Sequence, residues 1–184
     1  MKSNVFSIRQ MVAVGIGAAL VFVFMRFVVI PSGIPNTNIN IAAAVLAVFA
    51  AIFGPVTGFL IGFIAHSLTD LTWGGVWWSW VIADAIFGLL VGLFFWSFKI
   101  EQGGFTAKKC IIFNLVQIAA NAIAWIGVAP SLDILIYKEP ANKVYLQGVT
   151  AAAINAAAVL VIASLVAFTY SKTRVKAGSL HKED

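Results

Sequence analysis

Ala51-Ile52-Phe53-Gly54-Pro55-Val56-Thr57-Gly58-Phe59-Leu60-Ile61-Gly62-Phe63-Ile64-Ala65-His66-Ser67-Leu68-Thr69-Asp70 contains no Lys, Arg, Asp or Glu before its last residue and is interrupted once, at Gly54-Pro55. Proline at the first position of a helix is harmless, because the N–H it lacks would have had no intrahelical partner. Gly-Pro here therefore predicts two apolar helices meeting in a tight hairpin, near 40–53 and 55–71. Working outward, further apolar runs bounded by Pro, Gly, Asn or Lys clusters predict spans near 8–29, 80–98, 108–129 and 146–169.

Composition agrees. Hydrophobic residues are 61% of the chain and charged residues 10%, with a mean hydropathy of +0.99; a soluble domain has roughly 45–50% apolar and about 25% charged. At about 20 apolar residues per crossing, the 184 residues predict an all-α integral membrane bundle of six transmembrane helices. One domain over residues 1–184 is expected, with no separately folded soluble part. Met1 to Arg9 before a long apolar run resembles a signal peptide, but the run reaches Ile30 without a credible small-residue cleavage site, so it reads as a retained first span. Heptads, low-complexity tracts and a convincing internal repeat are absent. Cys110, the single cysteine, allows no disulfide framework or Cys-based metal cluster.

The segment from Pro31 to Asn38 is too rich in Pro, Gly and Asn to continue a helix, and Trp73–Trp80 and Pro130–Tyr145 read as the other long connections. With both termini cytoplasmic, the inner face holds Lys2, Arg9, Lys99, Lys108, Lys109, Lys172, Arg174, Lys176 and Lys182, and the outer face Arg26, Lys138 and Lys143. Nine against three fixes an N-in, C-in orientation. The net charge of +5 thus follows the membrane rule and calls for no nucleic-acid partner. All three long connections then lie outside, where loops can capture a ligand.

Asp70 and Asp84 are the costliest residues, since a carboxylate in a span costs about 2.5–3.5 kcal/mol even on a lenient scale. Both fall near the outer boundary, with His66 one helical turn from Asp70. They line an outward-opening polar pocket, or else Asp70 caps a helix and Asp84 pairs locally. Asn114, Gln117, Asn121 and Trp125 follow at spacings of three, four and four, on one helix face. Asn155 on the last span lies at a depth like that of Asn121. Ligand contact by Gln117, Asn121, Trp125 and Asn155 stands beside interhelical amide hydrogen bonding, which is the preferred account of Asn114. Trp73-Gly74-Gly75-Val76-Trp77-Trp78-Ser79-Trp80 gathers four of the six tryptophans. An interfacial belt explains tryptophan here, but a Gly-Gly hinge between two acids also suits Trp77, Trp78 and Trp80 to stacking on a flat heterocycle. Asn36, Asn38 and Asn40 alternate in the first loop, as turn residues or as a lid over the pocket. On the first span Ala13 with Gly17, and Gly15 with Ala19, form two small-xxx-small pairs that permit close helix approach.

Walker motifs, glycine-rich phosphate loops, HExxH and a Ser-His-Asp arrangement are missing. ATP hydrolysis by this chain is excluded on that basis, and it is not expected to be an enzyme.

Taken together, Ala51 to Asp70 followed by Trp77-Trp78-Ser79-Trp80-Val81-Ile82 resembles the substrate-binding S components of energy-coupling factor (ECF) vitamin transporters. Size, spans, long outer loops and the small-residue first helix extend the resemblance over essentially the whole chain. The subgroup it resembles is related to the riboflavin-type S components, some of whose members are assigned to hydroxymethylpyrimidine or pyridoxine. The resemblance implies a bacterial multi-pass plasma-membrane protein partnered by a transmembrane coupling subunit and two cytoplasmic ATP-binding subunits, which alone bind ATP, with no cofactor of its own. It also implies a subunit that topples to deliver its ligand inward, and a coupling-subunit docking role for Ala13 and Gly17, where Gly replaces the family's second Ala. The alternative is a stand-alone proton-coupled carrier or membrane enzyme using His66, Asp70 and Asp84 as a relay.

Overall fold

A computed structural model describes residues 6–174; Lys2, Lys176 and Lys182 of the charge count lie outside the described residues. Helix α1 covers Ile8–Phe27, α2 Ala42–Phe53, α3 Pro55–Leu71, α4 Trp78–Gly92 and the short α5 Phe95–Phe98, followed by α6 at Ala107–Tyr137 and α7 at Ala141–Lys172. Helices α1, α6 and α7 are long and apolar enough to cross a membrane, while α2, α3 and α4 are apolar but shorter.

The Gly54-Pro55 hairpin forms as predicted. Gly54 adopts φ 93°, a left-handed-side conformation that favours glycine, and Pro55 opens α3. Helix α1 begins with a capping box: the Gln10 N–H donates to Ser7 Oγ at 3.2 Å, and Gln10 Oε1 accepts the Ser7 N–H at 3.0 Å. The first loop holds more order than its composition suggests. Its ends pair as a two-residue antiparallel ribbon, β1 (Ile30–Pro31) with β2 (Asn38–Ile39), and Asn40 Oδ1 accepts the Ala42 N–H to start α2.

Two predicted boundaries are corrected. The span expected over 80–98 stops at Gly92, and a turn at Leu93 and Phe94 leads into α5. Phe98 at the end of α5 is buried edge-on against Phe113 of α6. The connection expected from Pro130 to Tyr145 is instead helix as far as Tyr137. Proline interrupts an α-helix because it lacks an N–H and crowds the carbonyl four residues back. Around it α6 widens to five-residue hydrogen bonding over Ala122–Val128 and again over Asp133–Tyr137, as in the Ala129 N–H donating to the Ala124 carbonyl. In that register the carbonyl facing the proline nitrogen is that of Trp125, and it packs against Gly148 of α7, where a side chain would collide with it.

The core is built largely of alanine and large apolar residues: Ala44, Leu46, Ala47, Ala50, Ile61, Phe87 and Val91 are all essentially inaccessible. Helix α3 lies against both α1 and α4. Of the first pair expected on a partner-docking face, Ala13 lines an apolar groove beside Val12 and Ile16, and Gly17 packs on Ile61 of α3 and Phe49 of α2. Gly15 and Ala19 are the pair left on the outer face of α1.

Candidate functional site

Where α3 and α4 approach the Trp73–Trp80 connection, they place one basic side chain between two acidic ones. His66 sits one turn before Asp70 on α3, and Asp84 faces it from α4. His66 Nδ1 lies 2.6 Å from Asp84 Oδ2, and Nε2 lies 3.6 Å from Asp70 Oδ1. His66 and Asp84 are each 5% exposed. A buried imidazole hydrogen-bonded to one carboxylate and within ion-pair reach of a second explains how such costly groups persist in this setting. Asp70 also accepts the backbone N–H of Trp77 at 2.8 Å, so the acid that ends α3 fixes the start of α4.

A third carboxylate, which the sequence reading left in a loop, is as central as these. Asp133, on the part of α6 beyond Pro130, is 2% exposed. It accepts from the indole N–H of Trp77 at 2.6 Å, from that of Trp80 at 2.9 Å, and from the Ser79 hydroxyl. Tyr137, one turn on, stacks on Trp77 with ring centroids 4.0 Å apart, and its hydroxyl accepts the Trp78 N–H at 2.9 Å. The tryptophan connection is thus bolted to α6 through rings and hydrogen bonds. The signal was available: Trp125, Ala129 and Asp133 continue the spacing of four set by Gln117 and Asn121, and the proline masked it.

These groups surround a cavity of about 470 Å³. His66, Asp70 and Asp84 form one wall, Trp73, Trp77, Trp80, Trp125 and Asp133 another, and Gln147, Ala151 and Asn155 of α7 a third. Asn36, Asn38 and Asn40 of the first loop line it as well. Gln147 donates to the Pro35 carbonyl at 2.7 Å, tying that loop to α7. Trp125 stands edge-on to Trp80 at 5.4 Å, and its indole N–H is buried without an acceptor.

The structure therefore gathers most of the predicted site residues and sets three aside. Gln117 and Asn121 are not on the cavity wall. Asn121 donates to the carbonyl and side-chain oxygens of Gln117, while Gln117 reaches the Ala156 carbonyl of α7 at 3.2 Å. Gln117 is interhelical glue, as is Asn114, which donates to Ser164 Oγ at 2.8 Å, whereas both bonds of Asn121 stay within α6 and its Oδ1 is buried without a donor. Trp78 is half exposed and stacks on Phe63, facing away from the cavity. Asp133, Trp73, Gln147, Thr37, Glu139 and Lys143 are wall residues absent from the predicted set.

Comparison with known sequences now decides the family. Residues 5–172 match the model described as "ECF-type riboflavin transporter, S component". The chain belongs to that family. Its similarity to bacterial relatives extends from end to end. It is 52% identical over 184 residues to a UPF0397 protein of Clostridium perfringens, covering all of both chains. It is 51% identical over 181 residues to the UPF0397 protein EAT1b_2102 of an Exiguobacterium species, covering 98% of this chain and 99% of the relative. Identity is 49% over 178 residues to a UPF0397 protein of Lactobacillus johnsonii, covering 96% of each. No solved structure matches. S-component membership and the apolar helices make the chain a multi-pass membrane protein of a transport system.

Proposed function

We propose that this S component captures a small heterocyclic vitamin or precursor in the cavity between α3, α4, α6 and α7. It would do so at the outer face of the bacterial plasma membrane, as a six-span, N-in, C-in single domain. Hydroxymethylpyrimidine or pyridoxine is favoured over riboflavin. A transmembrane coupling subunit and two cytoplasmic ATP-binding subunits would supply the energy, and those subunits alone would bind ATP. The observation that carries this reading is the cavity itself. Most pockets for small molecules hold a few placed polar groups among aromatic surfaces; here indole faces stand beside three buried or half-buried carboxylates and a rim of asparagines. A ring bearing amino or hydroxyl groups around its edge suits polar groups on several walls.

The test is to purify the full chain in detergent, identify any co-purifying small molecule by mass spectrometry, and titrate a vitamin panel by tryptophan fluorescence. Nanomolar to micromolar binding of one small heterocycle is expected, weakened at least about tenfold by Asp84→Ala, the equivalent of about 1.4 kcal/mol. Silence across the panel would sink the proposal.

The relay reading keeps one observation in its favour, the His66 contacts to both Asp70 and Asp84. Among the described residues, however, the buried ionisable side chains are His66, Asp84 and Asp133, and all three line the cavity. None continues toward the Arg9 end of the bundle. Uptake by the chain alone in proteoliposomes, driven by a pH gradient, would favour a proton-coupled carrier instead.

A further inference from the structure

We propose that the cavity selects a heterocycle presenting a positively charged N–H edge, and rejects the same ring once it carries a phosphate. This inference rests on the vitamin-capture reading. It begins with the charge on the walls. Four carboxylates reach the cavity, from Asp70, Asp84, Asp133 and Glu139, against one ammonium, from Lys143, and one imidazole, from His66. Lys143 is committed to Glu139 at 2.6 Å, and His66 is shared by Asp70 and Asp84.

Asp133 decides the balance. Its partners are two indoles and a hydroxyl, all neutral donors, and no ion pair reaches it among the described residues. Neutral donors solvate a carboxylate but leave its charge in place. Even with His66 doubly protonated, the walls keep a negative excess, and a cleft lined by one sign of charge focuses its field on whatever enters it. A ligand cation removes that excess; a ligand anion deepens it.

A second, independent feature specifies a further contact of the ligand, beside His66 and Trp80, whose rings neighbour that of Trp125 at 6.4 and 5.4 Å. Trp125 is 4% exposed and lines the cavity, yet its indole N–H has no acceptor. An unmade buried hydrogen bond is costly, so a native structure rarely keeps one without a use. A ligand lone pair would satisfy it. The complementary molecule therefore offers a cationic N–H edge to the carboxylates and an acceptor to Trp125, as protonated aminopyrimidines and hydroxypyridines do.

The test uses the full chain in detergent and tryptophan fluorescence with six probes: hydroxymethylpyrimidine, pyridoxine, the phosphate ester of each, and, as a size control, the acetyl ester of each, whose added group carries no charge. The phosphate esters are expected to bind about 100-fold more weakly than the alcohols, with the acetyl esters close to the alcohols. Asp70→Asn and Asp133→Asn, which keep side-chain shape, are each expected to narrow the gap between alcohol and phosphate about tenfold. Phosphate esters binding within threefold of the alcohols, acetyl esters rejected as strongly as phosphates, or a gap unmoved in both variants would overturn the charge rule and leave vitamin capture standing. If neither alcohol nor any other ring in the vitamin panel binds, capture itself falls and the charge rule goes with it.

Discussion

Between Pro55 and Gly62, α3 lies backbone to backbone on α4, whereas from His66 to Asp70 the same helix is met by ionisable side chains. In the first region a methyl group on Gly88 would strike the Gly58 carbonyl, and one on Gly92 would come within 2.6 Å of the Gly54 and Pro55 backbone. In the second the helices meet through an imidazole and two carboxylates beside a cavity. The boundary is Gly62, whose missing side chain lets the Asp84 carbonyl approach; an added Cβ would sit 2.5 Å from that oxygen. A dry, glycine-lined seam has no slack, and it sets how far the Asp84 side chain stands from His66. The rigid half of the pair therefore positions the polar half.

The most damaging way to break this comparison is to wedge the seam. Gly88→Val places its side chain against Gly58 backbone atoms, which cannot rotate aside. Overpacking of this kind costs about 3 kcal/mol, and the expected result is a large drop in melting temperature in detergent, or loss of the monodisperse species. A variant melting within a few degrees of the parent would show that the seam is not close-packed.

The polar half is sharpened by a double-substitution cycle. His66→Leu leaves Asp84 without its 2.6 Å partner, and stranding a buried charge costs about 3 kcal/mol. The joint variant His66→Leu/Asp84→Leu removes both charged groups and is expected to recover part of that loss, while vitamin binding disappears in both. Thermal melts of the two single variants and the double variant measure the coupling. Additive losses would mean that the pair is not a unit.

How much of this was legible before the structure follows the same division. The hairpin and the extent of α3 were legible, because Gly54-Pro55 admits one local geometry and α3 begins and ends where its apolar pattern does; which helix its glycines would meet was not. His66, Asp70 and Asp84 were legible because charge is expensive in an apolar helix, whatever its neighbours. Asp133 was not. Reading it required knowing that α6 absorbs Pro130 by widening its turns, and that depends on the close pass of Gly148 against the Trp125 carbonyl, a contact between helices. That Gln117 and Asn121 stand off the cavity wall was not legible for a related reason: a polar stripe shows which residues share a face, but not that Gln117 spends its amide on Ala156 and Asn121 while the Asn121 Oδ1 stays buried without a donor. The small residues of α1 repeat the point, since spacing shows that a close approach is available but leaves open which helix uses it.

That last ambiguity gives the mildest prediction. Gly17 is spent inside the bundle on Ile61 and Phe49, whereas nothing lies within 4 Å of where a Gly15 side chain would begin. Gly15→Leu should therefore change stability by no more than about 0.5 kcal/mol, as exposed substitutions do, and leave vitamin binding by the isolated chain unaltered. If the outer face of α1, with Gly15 and Ala19, is where the coupling subunit docks, the same variant loses co-purification with that subunit when the two are expressed together. Retained co-purification would move the docking surface elsewhere, and a large stability loss would mean that the outer face of α1 is packed rather than free.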